Sequence, residues 1–114
     1  GLLQAIYNLP ALYEQPVAAP EIALDPPESQ LQSVIQRCQA TLQANQQQAE
    51  IWHELGTTWY LMERYDAAES ALTQAVALEP ENGRYLYSLG LTLEKQGKVV
   101  NAAQTYQKAL SCDR

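Results

Sequence analysis

The single histidine of this chain, His53, is the side chain best suited to acid–base or metal chemistry. If residues 49–62 form a helix, Glu50 and Thr57 share its face, at positions i−3 and i+4. One histidine and one carboxylate fall short of the roughly three or four ligands that zinc takes. The sequence also lacks a Ser-His-Asp order and the HExxH, P-loop and GxGxxG patterns. We therefore expect no catalytic residue, no metal and no cofactor, and we assign His53 to partner contact or solvation.

Composition narrows the class of protein further. The chain has 114 residues, with 7 Lys+Arg against 13 Asp+Glu and a net charge of −6, which fits one small acidic domain. Binding to nucleic acid is not expected, because it normally needs a basic patch. We find no apolar run of roughly 18 residues that could span a membrane and no signal-peptide pattern. Cys38 and Cys112 are too far apart in sequence for a zinc or disulfide framework, so we expect a reducing, cytoplasmic location.

An internal repeat is the strongest signal in the sequence. When the chain is shifted against itself by 34 residues, small and apolar positions coincide. The identical matches are Leu55-Gly56 with Leu89-Gly90, Thr58 with Thr92, Ala68 with Ala102, and Ala75 with Ala109. Bulky apolar positions also match in kind, as with Trp52 and Leu86 or Leu72 and Tyr106. A fixed period of this length indicates stacked structural units rather than one irregular core.

The pattern Trp52, Leu55-Gly56, Trp59, Ala68, Leu72, Ala75 and Pro80 resembles the tetratricopeptide repeat, a helix-turn-helix unit of about 34 residues. The resemblance implies an all-α solenoid of helical hairpins wound into a right-handed superhelix. It also implies a repeat region over residues 29–114, divided into a half repeat at 29–48 and repeats at 49–82 and 83–114. The second repeat reaches Arg114 where the pattern would place its terminal proline.

Apolar periodicity and helix breakers independently predict helices over residues 29–45, 49–62, 65–78, 83–96 and 99–111. Leu31, Val34, Ile35, Cys38 and Leu42 give the first of these helices one apolar stripe. In the same way, Trp52 and Trp59 are interpreted as packing residues. The small residues Gly56, Gly90, Ala68 and Ala102 are expected where the two helices of a repeat approach closely.

Residues 1–28 differ in composition from the rest of the chain, and we call them the N-terminal arm. The arm contains five of the six prolines, four acidic residues and no basic one, so a regular helical hairpin is not expected. It is too apolar for a typical disordered tail, with Leu2, Leu3, Ile6 and Tyr7 close together near its start. We expect this arm to cover a surface of the solenoid, of a second copy, or of a partner.

In tetratricopeptide repeats the first helix of each repeat lines a concave groove, and the resemblance carries that role to specific positions here. The partner-binding residues it implies are His53, Thr57, Tyr60, Leu61, Arg84, Tyr87, Leu91 and Lys95. This mixed apolar and charged surface suits a peptide or partner helix with an apolar anchor. Some family members clamp the acidic tail of heat-shock chaperones with Lys and Asn, but His53, Thr57 and Ser88 depart from that pattern. Only Arg84 remains as a carboxylate partner.

The expected function is a non-catalytic scaffold that binds a protein or peptide in the groove. Two alternatives stay open. The chain could be a regulatory or substrate-positioning region of a larger enzyme, since such repeats are often fused to transferases and kinases. It could also associate with itself, as a homo-oligomer or intramolecularly, through the N-terminal arm.

Overall fold

A computed structural model describes residues 28–112 of the chain. Over this range the backbone forms only α-helices: α1 (Glu28–Ala44), α2 (Ala49–Leu61), α3 (Tyr65–Leu78), α4 (Gly83–Lys95) and α5 (Val99–Ser111). The five helices predicted from periodicity are confirmed, each to within one residue at either end. The arm predicted for residues 1–28 lies outside the described residues, except for Glu28, which begins α1.

The helices are stacked in chain order. Each one packs against the next, and α2 also contacts α4. Within residues 28–112 no comparably close approach of the backbones joins α1 to α3 or α3 to α5. The first helices of the two hairpins are therefore closer to each other than the second helices are, and we call the side formed by α2 and α4 the inner side of the stack.

The predicted stripe of α1 forms the first part of the core. Ile35, Cys38 and Leu42 are buried in one cluster with Leu55 of α2 and Ala71 of α3. Trp52, Trp59 and Met62 pack against this cluster from the side and remain partly exposed, which confirms the packing role assigned to the two tryptophans. The indole Nε1 of Trp52 also donates to the carbonyl oxygen of Gln46, 2.9 Å away, and so ties α2 to the loop before it.

The close approach predicted at Gly56 and Gly90 is confirmed. A Cβ atom at Gly56 would lie 2.5 Å from Cγ of Leu72, and one at Gly90 would lie 2.5 Å from Cε1 of Tyr106. Both distances are too short for carbon atoms in contact, so each hairpin closes only because its first helix carries glycine there. Ala68 and Ala102, the small residues on the second helices, are buried as expected.

The two hairpin turns have the same geometry. Glu63 (φ 62°) and Gly97 (φ 81°) are the middle residues of the connections 62–64 and 96–98, and both adopt the left-handed conformation. Between the hairpins, Asn82 caps α4: its side-chain oxygen accepts from the backbone N–H groups of Arg84 and Tyr85 at 3.0 and 3.3 Å. This cap holds the start of α4, and hence Arg84 and Tyr85, next to α2.

Candidate partner-binding site

All of the residues implied for the groove lie on α2 and α4. Leu61 and Tyr87 are 60% and 54% exposed, so each presents apolar surface to solvent. Lys95 is also exposed, while Thr57, Tyr60 and Leu91 are half-buried. These six side chains are therefore at least partly accessible to solvent.

His53 does not belong to this accessible surface. Its side chain is only 8% exposed, its Nε2 atom lies 2.8 Å from Oγ of Ser88, and its ring stacks on Tyr85 with centroids 4.8 Å apart. Burial, and next the positive charge of Arg84, lower the pKa of His53 below its ordinary value. The expectation that His53 lines the groove is therefore wrong. Its side chain joins α2 to α4, because it contacts both Tyr85 and Ser88 of the second hairpin.

Arg84 is exposed, but its guanidinium already has a carboxylate partner in this chain. Its Nη2 donates to Oε1 of Glu50 at 2.8 Å, and the hydroxyl of Tyr85 donates to the same oxygen at 2.9 Å. These two hydrogen bonds, chiefly that of Tyr85, lower the pKa of Glu50. Burial and the hydrogen bond to Glu50 raise the pKa of Tyr85 to about 12. Arg84 is thus a bridge between the hairpins, and a ligand carboxylate would have to compete with Glu50.

An apolar depression, here called the end groove, lies between α4 and α5 and includes Tyr87 and Leu91. Its volume is about 610 Å³. It is lined by Gly83, Tyr87, Leu91, Glu94, Tyr106, Ala109 and Leu110. The rings of Tyr87 and Tyr106 are 5.7 Å apart, and the hydroxyl of Tyr106 donates to Oε1 of Glu94 at 2.7 Å. Burial and this hydrogen bond raise the pKa of Tyr106 to about 12.

Sequence reasoning assigned Tyr87 and Leu91 to the binding surface but missed Tyr106, Ala109 and Leu110. One period earlier these three positions are Leu72, Ala75 and Val76, of which Leu72 and Ala75 are completely buried. Repeat equivalence therefore indicates buried residues at positions 106 and 109 and a half-buried one at position 110. The sequence feature that could have indicated this groove is the apolar stripe of α5, formed at helical spacing by Val99, Ala103, Tyr106 and Leu110.

Chemistry at a metal is not indicated by this geometry. Among residues 28–112, no group of three or more His, Cys, Asp or Glu side chains is placed to hold a metal ion. Cys38 is buried and Cys112 half-buried, and both are free thiols. In the same part of the chain, no helix is long and apolar enough to cross a membrane.

These features define an all-α helical repeat protein with an open inner surface. Comparison with known proteins gives the family. The model of the tetratricopeptide repeat family matches residues 53–114, more than half of the chain, so the chain belongs to that family. This confirms the resemblance drawn from the repeat pattern. Repeats of this family generally mediate protein–protein interaction, and the family is generally non-catalytic.

A relative supports the same assignment. The chain is 33% identical over 58 residues to a TPR repeat-containing protein of Methanocaldococcus jannaschii. The aligned region is 51% of this chain and 10% of the relative, so it spans about a tenth of that protein's length.

Proposed function

We propose that this chain is a non-catalytic scaffold that binds a peptide or partner helix on the inner surface of α2 and α4. The observation that carries the proposal is the exposure of Leu61 and Tyr87 on neighbouring inner helices. Exposed apolar side chains lose contact with water when a partner covers them, and this desolvation favours association. Tyrosine is moreover among the residues that contribute most at interfaces.

The partner chemistry follows from the neighbours of these two side chains. Tyr87 and Leu91 are one turn apart on α4, so together they present an apolar strip for one or two anchor side chains. Lys95 continues the same strip by one more turn, and no residue among 28–112 forms an ion pair with it. We infer a ligand with an apolar anchor followed by an acidic group. His53 and Arg84 contribute by fixing α4 against α2.

The repeat boundaries that we propose are 29–48, 49–82 and 83–114. Their support is that α2 and α4 begin 34 residues apart, as do α3 and α5. The left-handed turn residues Glu63 and Gly97 are also 34 residues apart in sequence.

We further infer that the protein is located in the reducing cytoplasm, because two free thiols are typical of proteins there. We infer no role in nucleic-acid binding, because the chain is acidic.

The test is a pull-down from lysate of the source cells with the wild-type chain and with the double variant Tyr87→Ala/Leu91→Ala. Loss of two interface anchors should reduce capture of the specific partner by at least about tenfold. Val100→Ala is the matched control. Val100 is more exposed than Tyr87, but it lies on α5, outside the proposed surface. Circular dichroism should show the same helicity for all three proteins. Undiminished capture by the double variant would refute the assignment of the inner surface.

A further inference from the structure

The end groove resembles a buried site between the two hairpins, and the residue in that site indicates which side chain the end groove can bind. Between the two hairpins, Tyr85 of α4 is buried in a seat made by α2 and α3. The residues of this seat are Ala49, Trp52, Ala75, Val76 and Leu78. One period later the same positions are Gly83, Leu86, Ala109, Leu110 and Cys112. Three of these equivalents, Gly83, Ala109 and Leu110, line the end groove. The end groove therefore contains part of a second copy of the Tyr85 seat, and within residues 28–112 no side chain fills it.

This second seat differs from the first in polarity. The first hairpin is also bridged to the second by polar groups: Asp66 accepts from Gln96 at 2.7 Å, and Glu69 pairs with Lys98 at 3.1 Å. The equivalents of Asp66 and Glu69 on α5 are Val100 and Ala103. Leu110, at the edge of the groove, is 79% exposed. The end groove therefore suits an apolar segment that carries an aromatic ring better than it suits a polar helix.

Charge narrows the choice of occupant. Residues 83–112 contain four basic side chains and one acidic one, Glu94. The basic residues are Arg84, Lys95, Lys98 and Lys108. Arg84 and Lys98 pair with Glu50 and Glu69, so of these four only Lys95 and Lys108 are left without an ion pair among residues 28–112. These two lysines give this end of the stack positive charge. An occupant with acidic and apolar residues and no basic one would be attracted to it and steered toward it.

We propose that the occupant is the N-terminal arm of the same chain, with Leu2–Tyr7 in the end groove and the ring of Tyr7 in the position that Tyr85 takes in the first seat. This segment has the required apolar and aromatic residues. The acidic residues Glu14, Glu21 and Asp25 follow it, and no basic residue occurs before Arg37. The arm therefore matches the end groove in both polarity and charge.

The linker is long enough for this contact. Residues 8–27 lie between the docking segment and the start of α1, and twenty residues can span up to about 65 Å when extended. Packed helices lie about 10 Å apart, so the four steps from α1 to α5 amount to roughly 40 Å. Docking within one chain is favoured over docking between chains, because the linker holds the segment at a high effective concentration.

Docking of the arm has a consequence for partner binding. Tyr87 and Leu91 line the end groove and are also anchors of the proposed binding surface. A docked arm would cover them and compete with a partner. This consequence rests on the proposed function, whereas docking itself does not.

Cys112 supplies a native reporter for the experiment. It lies beside the groove, since a Cβ atom at Gly83 would be 3.5 Å from Cβ of Cys112. The other thiol, Cys38, is 1% exposed and does not compete. In the full chain, Asn8→Cys places a second thiol next to Tyr7, and Gln15→Cys places one further along the arm. Each protein is then oxidised at low concentration with oxidised glutathione.

The expected product is an intramolecular disulfide between position 8 and Cys112, which migrates as a monomer and is identified by mass spectrometry. Its yield should exceed that from position 15 and should fall by about tenfold when Leu110→Glu places a charge in the apolar groove. Gln104→Glu is the matched control, because it adds the same charge at an exposed position of α5 away from the groove. Equal yields from positions 8 and 15, no effect of Leu110→Glu, or a product that migrates as a dimer would overturn the proposal. No partner is present in this assay, so its result is independent of the proposed function.

Discussion

Nε2 of His53 lies 2.8 Å from Oγ of Ser88, and this contact joins the inner helices of the two hairpins. The imidazole also stacks on Tyr85 and is almost completely buried. The only histidine of the chain is therefore part of the interface between the hairpins.

The first prediction concerns pH. The groups that face His53 are Glu50 on its own helix and three residues of α4, namely Arg84, Tyr85 and Ser88. Burial, and next the positive charge of Arg84, lower the pKa of His53 in the folded state. Below the ordinary value of 6.5, the unfolded chain therefore takes up a proton that the folded chain resists. The free energy of unfolding should decrease as the pH falls through this range and be fully recovered above it.

Thermal unfolding at several pH values between about 7.5 and about 5.5 measures this effect. His53→Gln keeps a polar group near Ser88 but does not titrate, so its melting temperature should fall less over that interval than that of the wild type. Glu50 contributes little there, because its pKa is lowered from an already acidic value of 4.5. Parallel pH profiles for the two proteins would contradict the prediction.

The second prediction concerns the hydrogen bond between Tyr85 and Glu50. Tyr85→Phe removes the hydroxyl that lies 2.9 Å from Oε1 of Glu50 but keeps the ring in its seat. The expected loss is about 1 kcal/mol in the free energy of unfolding, measured by urea denaturation. Since this hydrogen bond is the main cause of the lowered pKa of Glu50, that pKa should rise in the variant, as followed by NMR titration.

Arg84→Ala is the matched comparison for Tyr85→Phe. It removes the other hydrogen bond to the same oxygen, but the Arg84–Glu50 pair is mostly exposed, with 59% and 62% of its side chains accessible. Exposed pairs contribute roughly 0–1 kcal/mol, so Arg84→Ala should cost less than Tyr85→Phe in the same denaturation experiment. The reverse order would show that the ion pair, rather than the tyrosine, holds the hairpins together.

The third prediction compares the two hairpin glycines. Gly56→Ala brings a methyl group to within 2.5 Å of Cγ of Leu72, which is completely buried and cannot move aside. Gly90→Ala makes an equally short contact, but with the ring of Tyr106, which is half-buried next to the open end groove. We expect a loss of about 1–3 kcal/mol for Gly56→Ala and a smaller loss for Gly90→Ala.

Urea denaturation of the two alanine variants checks this order. Each alanine also gains about 0.5–1 kcal/mol over glycine in helix formation, and because the gain is common to both sites it cancels in the comparison. A larger loss of unfolding free energy for Gly90→Ala would mean that the ring of Tyr106 cannot shift. That result would contradict the description of Tyr106 as lining an open groove.

The sequence by itself determined the elements of this protein. The bounds of all five helices followed from apolar periodicity and from breakers such as Pro80 and Gly97. The close approach at Gly56 and Gly90 followed from the 34-residue repeat. These features are predictable because they depend on residues a few positions apart, or on the register of two helices within one hairpin.

Only the tertiary structure decided which side chains stay accessible. His53 was predicted in the groove but is buried, because Tyr85 and Ser88, more than 30 residues later, pack against it. Leu110 is equivalent to the half-buried Val76 of the preceding repeat but is 79% exposed. Exposure depends on what the stack places next to a residue, and a pattern of spacings within one helix does not contain that information.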